Sequence, residues 1–284
     1  MICSFLKKDL PYRHWEYLNI ESSDRLRIVP ERGGIVTSWI CKGKEIFYLD
    51  EERFNQPTKS IRGGMPILFP ICGNIPEDLA YIDKVPYQLF QHGFARDSCW
   101  DISLLEDEMG VRMTLNSNKK TLNIYPFKFR IEIELRMKNN TLDINSRIIN
   151  FSDINMPFSF GFHPYFKISN LRNINLLGLS EECINQKNML KEKTSIQLEN
   201  LFKGVDFLAE SISSICLIDQ LADFSIELKM QEPFLYNVIW TDPPRQMICL
   251  EPWTSKRNSI NTGDNLLILQ PQQETFISCQ IKVT

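Results

Sequence analysis

The chain has 284 residues, 43% of them hydrophobic, with 32 Lys and Arg against 35 Asp and Glu and a formal net charge of −3. That balance allows a sizeable core and excludes intrinsic disorder, which needs few apolar residues and a large net charge. No basic stripe is present to neutralise phosphates, so no nucleic-acid partner is expected, and Lys7-Lys8 and Lys119-Lys120 read as solvated surface.

Eight cysteines, at 3, 41, 72, 99, 183, 216, 249 and 279, form no C-x-x-C and several lie inside apolar runs. They read as free thiols acting as small hydrophobes rather than as a disulfide framework. The segment Met1–Leu10 shows no charged stretch followed by an apolar one, so no signal peptide is expected. No apolar run approaches the ~20 residues that span a bilayer. The expectation is a cytoplasmic protein with no membrane partner.

The chain opens with His14 among the mixed neighbours Tyr12, Arg13 and Trp15, where a surface histidine is expected. Arg62-Gly63-Gly64-Met65-Pro66 then combines a sharp turn with a proline-bounded apolar run, Ile67-Leu68-Phe69-Pro70. A short helical turn is predicted near Pro76–Ile82, followed by Gln91-His92-Gly93-Phe94-Ala95-Arg96. Strict two-residue alternation begins at Val111–Asn116 and is clearest at Ile131–Met137, where apolar and charged residues alternate for seven positions. It continues at Leu142–Ile148, Phe224–Met230 and Ile277–Thr284. Such alternation puts one face on a core and the other in water, the mark of antiparallel sheets. A second helical turn is predicted near Glu181–Leu190.

No segment keeps a helical apolar period for twelve residues, and no βαβ rhythm appears, which disfavours Rossmann and TIM folds. The glycine patterns of dinucleotide and P-loop sites are absent. Pro70, Pro126, Pro157, Pro164 and Pro252 should mark strand ends or edges, because proline cannot donate to a ladder. With no linker and no low-complexity tract, the predicted fold is all-β: a single-domain antiparallel β-sandwich over residues 1–284 with few short helices.

Chemistry has few candidate carriers. In Phe158-Ser159-Phe160-Gly161-Phe162-His163, the phenylalanines share one face while Ser159, Gly161 and His163 share the other. His163 is thus either a pocket residue or a strand-end histidine bonded to a backbone carbonyl. Gly93 frees space beside His92, and Arg96 brings a fork of donors four residues on. The turn after Arg62 either presents it to ligand oxygens or is a plain hairpin. Glu251, ending the apolar run Met247–Leu250 beside Trp253, stands where desolvation would raise a carboxyl pKa and suit it to general-base work, unless it is an edge glutamate facing water. Asp206 is a lone acid in a loop-like context. A metal site lacks H-x-H or H-E-x-x-H spacing, and Cys99 has no neighbouring base.

Taken together, Arg62-Gly63-Gly64-Met65-Pro66, His92-Gly93-Phe94-Ala95-Arg96, His163-Pro164-Tyr165-Phe166 and Glu251-Pro252-Trp253 occur in an order that resembles the aldose 1-epimerase, or galactose mutarotase-like, family. The first two motifs look most like its hexose-6-phosphate branch, whereas Glu251-Pro252-Trp253-Thr254 looks more like branches acting on free sugars. The resemblance implies a β-supersandwich with a sugar cleft on one concave face, and interconversion of α and β anomers without a cofactor or metal. By motif position His163 would match the general acid and Glu251 the general base. His92, Arg62, Arg96 and, most loosely, Asp206 would match substrate-binding residues. The competing readings are a catalytically silent carbohydrate-binding or regulatory protein on the same fold, and a metal-dependent enzyme that chelation would silence.

Overall fold

The computed structural model describes residues 3–284; Met1 and Ile2 of the expected domain, and the side chains of Ile212 and Ser213, lie outside the described residues. The alternating segments form strands within a large sheet in which every strand pair is antiparallel. Along it run Asp101–Leu104, Val111–Asn116, Phe129–Lys138, Thr141–Asn150, Glu274–Val283, Phe224–Met230, Asp206–Asp219, Tyr236–Trp240, Met247–Trp253, Gly161–Phe162 and Ile67–Leu68. Tyr165–Lys167 also pairs with Met247–Trp253, and the Ile174–Asn185/Leu190–Lys193 hairpin pairs with Asp206–Asp219. A second sheet is built from Cys3–Lys8, His14–Asn19, Arg25–Val29, Ile35–Cys41 and Lys44–Glu45.

One buried cluster contains Leu26, Ile28, Val36 and Trp39 from the small sheet with Ile131, Ile133, Leu217 and Ile281 from the large one. The two sheets therefore close over a common core, as the alternation predicts. Glu274–Val283, the last strand of the sequence, lies in the interior of the large sheet between Thr141–Asn150 and Phe224–Met230. Helix is confined to four short α-segments and some 3₁₀ turns among the described residues. None is long and apolar enough to cross a membrane.

Three local expectations need correction. Pro76–Asp78 is the predicted helical turn, but Glu181–Leu190 is the tip of a hairpin, where Asn185 and Asn188 side chains accept from the Lys187 and Leu190 backbone amides and turn the chain. His14 is buried, its Nδ1 2.7 Å from the carbonyl of Tyr12, because it pairs with Lys8 inside the small sheet. Pro252 lies within Met247–Trp253 opposite Asn237, not at a strand end. The ladder on the other side of that strand skips from Cys249, paired with Tyr165, to Trp253, paired with Gly161. Thr254 N–H points to that side, toward Phe160 O, so Pro252 two residues earlier directs its nitrogen into the gap and no ladder bond is lost.

Candidate active site

The gap in the ladder is where the polar residues collect. Register places side chains of one face in rows across three neighbouring strands: Cys249, Trp240 and Asp206 in one row, Glu251, Val238 and Leu208 in the next, Trp253, Tyr236 and Glu210 in the third. Opposite, the Phe162-His163-Pro164 kink swings the His163 ring over Glu251. A cleft of about 220 Å³ opens above these residues. Its lining includes Arg62, His92, Arg96, His163, Asp206 and Glu251.

His163 Nε2 lies 3.1 Å from Glu251 Oε1, and Trp253 Nε1–H donates to Glu251 Oε2 at 3.2 Å. The His163 ring stacks on Tyr165 at 4.7 Å between centroids, and its Nδ1 is buried with no hydrogen-bond partner among the described residues. The imidazole thus reaches a carboxylate through Nε2. Burial pushes the Glu251 carboxyl well above its usual range, helped by the nearby charge of Asp206. Burial likewise pushes His163 down to about 3, with Arg96 and Arg62 adding to the fall. Burial thus favours the neutral form of each group, and disfavours the imidazolium facing an ionised carboxylate that the resemblance suggests.

His92 is fixed by the backbone. Gly73 N–H donates to His92 Nδ1 at 3.1 Å, and His92 N–H donates to Gly73 O at 2.8 Å. Nδ1 is therefore the acceptor and Nε2 carries the hydrogen. Burial holds this ring well below its usual pKa, with the nearby His163 and the charges of Arg96 and Arg257 adding to the fall. His92 has φ +69, a left-handed conformation that a non-glycine residue adopts at a cost of ~1–3 kcal/mol and that tends to occur at functional sites. Gly93 follows at φ +69, where a Cβ would lie 2.2 Å from Phe69 O.

Arginines ring the cleft. The Arg62 guanidinium lies 5.4 Å from the Trp240 ring centroid and 3.8 Å from Asp242. Among the described residues, the carboxylate that pairs with Arg96 is the exposed Asp97 at 3.7 Å. Asp206 is occupied at both oxygens: Oδ1 accepts from Gln186 Nε2 at 2.9 Å and Oδ2 from Arg257 Nη2 at 3.0 Å. The structure thus brings all six residues singled out from sequence to one cleft. It adds Tyr165, Trp240, Trp253, Gln186 and Arg257. Arg257, four residues after Trp253, carried no local signal. For a metal, the densest donor set among the described residues is His163, Cys249 and Glu251, with ligand atoms within 4.8 Å of one another. Two of its three members, His163 and Glu251, already lie in contact at 3.1 Å.

Antiparallel sheets that bring a histidine, a carboxyl and arginines to one polar cleft define a β-sandwich with a candidate small-ligand site, and comparison with known proteins places it in a family. Residues 19–282 match the family described as aldose 1-epimerase, and the chain belongs to that family. Slr1438 from Synechocystis sp. PCC 6803 shares 34% identity, with a TM-score of 0.89 over 99% of this chain and 95% of its own. A Cenchrus ciliaris protein provisionally named glucose-6-phosphate 1-epimerase is 32% identical over 174 residues, or 57% of this chain and 49% of the relative, so the chain spans about half that protein's length. A Lactobacillus acidophilus protein described as a galactose mutarotase related enzyme shares the fold, with TM-score 0.77 and 20% identity over 99% of this chain and 97% of its own.

Proposed function

We propose that this protein is an aldose 1-epimerase that interconverts the α and β anomers of a hexose or hexose 6-phosphate through Glu251 and His163. The observation that carries this reading is the 3.1 Å contact between His163 Nε2 and Glu251 Oε1 at the floor of a cleft sized for one small polar ligand. Mutarotation needs one group to take the proton of the anomeric hydroxyl and another to give a proton to the ring oxygen. The C1–O5 bond then breaks, O1 becomes a carbonyl oxygen, C1 turns about its bond to C2, and the ring closes on the other face as both protons return. A carboxyl and an imidazole in contact suit a cycle in which the enzyme gains one proton and loses another at once.

In this reading Glu251 is the base and His163 the acid. Sugar hydroxyls donating to the carboxylate compensate its charge and let the proton pass to the imidazole. Trp253 Nε1–H holds the carboxylate in place. His92, with Nε2–H available, binds a sugar oxygen. Arg62 and Arg96 offer donors to hydroxyls or, for a hexose 6-phosphate, a charge-assisted grip on the dianion. Arg96 supports the phosphorylated substrate more strongly, since its one carboxylate neighbour is solvated. The presence of both acid and base speaks against a silent sugar-binding protein.

The test is a panel of freshly dissolved α-anomers, free and 6-phosphorylated, with anomer exchange followed by NMR. Exchange at the spontaneous rate for every sugar tried, with sugar binding intact, would return the protein to the binding-only reading.

A further inference from the structure

We infer that Arg257 is a specificity-determining wall that closes the far end of the cleft and restricts the substrate to a single sugar ring. The inference rests on the sugar reading above and goes beyond it, because it concerns the length of the substrate and not the reaction. Adjacent strands lie about 4.8 Å apart, so a ligand over Val238 and Trp240 spans roughly 10 Å from Glu251 on one side to the Asp206–Asp219 strand on the other. A pyranose with C1 and O5 at Glu251 and His163 therefore turns its C3–C4 edge toward Asp206. That edge is where Arg257 crosses. Its Nη2–H donates to Asp206 Oδ2 at 3.0 Å and its Nη1–H to Gln186 O at 3.3 Å, tying the loop after Trp253 to the strand opposite.

The bar is seated tightly. A Cβ on Gly73, at φ +75, would lie 2.4 Å from Arg257 Cγ, so only glycine lets the arginine stem pass there. Arg257 is mostly buried, and each Asp206 oxygen already accepts one hydrogen bond.

Behind the bar the same sheet face continues. Val238 pairs with Leu208, and Leu208 with Ile184. Leu208 and Ile184 line a second hollow of about 430 Å³, with Tyr236, Glu182, Glu210 and Lys191 around it. It sets charged donors and acceptors beside the apolar Leu208 and Ile184, a surface that suits a second sugar ring. The first cleft, at about 220 Å³, lies below the usual range for drug-sized ligands of ~300–1,000 Å³, as expected for a site closed after one ring. A 1,4-linked disaccharide bound by its reducing end would direct its second ring from O4 into the Arg257 guanidinium. Without that side chain, the ring would enter the second hollow.

The experiment compares glucose with maltose, each freshly dissolved as one anomer, on the full chain and on Arg257→Ala and the milder Arg257→Gln. Anomer exchange is read by NMR and binding by saturation-transfer NMR. The wild-type protein should favour glucose. Both variants should raise the maltose-to-glucose ratio of catalysed exchange by about tenfold or more, the scale on which pocket shape discriminates substrates. An unchanged ratio in both variants, with their folds intact by circular dichroism, overturns the wall, as does wild-type exchange of maltose as fast as glucose. If neither free sugar is exchanged by any of the proteins, the panel of 6-phosphorylated anomers decides the epimerase reading. The binding arm still decides the wall: maltose signals gained in Arg257→Gln support it, and their absence overturns it.

Discussion

Strands Phe129–Lys138 and Met247–Trp253 belong to one sheet but solve different problems. The first alternates buried and half-buried positions along nearly its whole length, with Glu132 and Glu134 among those that turn to solvent and pair with arginines. The second buries all seven residues, Glu251 among them. In the first, every side chain sits where its polarity is cheapest. In the second, a carboxyl is held against its preference beside a histidine driven the other way. Local sequence and structure agree where the strand only stabilises, and conflict where it can do chemistry.

The sharpest way to break that contrast is Glu251→Gln. The amide can still donate toward His163 and accept from Trp253, but it cannot cycle a proton. Catalysed anomer exchange should fall about 10²–10⁴-fold while sugar binding, followed by NMR titration, persists. His163→Asn should do comparable damage. Near-normal exchange in either variant would move the acid–base work elsewhere. In the wild type, burial moves the His163 pKa down to about 3 and holds the Glu251 carboxyl well above its usual range. The pH–rate profile should therefore lack the acid limb near 6.5 that an ordinary histidine gives.

On the stabilising side, Ile133→Ala removes a fully buried side chain from the regular strand. It should cost about 2–5 kcal/mol of unfolding free energy by urea titration, with the exchange rate per folded molecule unchanged. A larger loss of activity than of folded protein would show that the two regions are coupled. Arg96→Ala should weaken handling of a hexose 6-phosphate roughly 10–100-fold more than of the free hexose, the scale of a lost charge-assisted bond of about 1.5–3 kcal/mol. Equal losses on both would assign Arg96 to hydroxyl binding.

The smallest effect is the most diagnostic. Glu251 has a raised pKa in the fold, so the unfolded chain releases this proton more readily and the group penalises folding as pH rises above its ordinary 4.5. Glu251→Gln should then stabilise the protein by about 0.5–2 kcal/mol at neutral pH, more at pH 8 than at pH 5. His163 has a lowered pKa, so its penalty grows in the opposite direction, as pH falls from 6.5 toward 3. His163→Asn should stabilise mainly in acid. Thermal melts of both variants across pH check the two slopes, and a destabilised Glu251→Gln at pH 8 would contradict them.

The regular strands were legible because a period of two is written into neighbouring residues, as at Ile131–Met137. His92, His163 and Glu251 stood out because glycine, proline or an apolar run singled each of them out locally. Tyr165, Trp240, Gln186 and Arg257 did not, because their place in the cleft comes from register between distant strands: Trp240 opposite Cys249, Asp206 opposite Trp240, and Arg257 reaching back to Asp206. His14 was misread for the same reason, since its burial depends on pairing with Lys8. The Glu181–Leu190 hairpin turns on asparagine side-chain bonds that leave no periodic trace.

The interior position of Glu274–Val283 bears on how the chain is made. Its partners, Thr141–Asn150 and Phe224–Met230, are synthesised long before it. Until residue 283 has cleared the ribosome, the large sheet is two fragments with open edges, one carrying the Val111–Asn150 hairpins and the other the strands that bear Asp206 and Glu251. Such edges invite pairing with other chains, and contacts this distant in sequence form slowly. Biosynthesis thus passes through an aggregation-exposed interval that lasts until Glu274–Val283 inserts, and chaperones acting on nascent chains have most to protect during that interval.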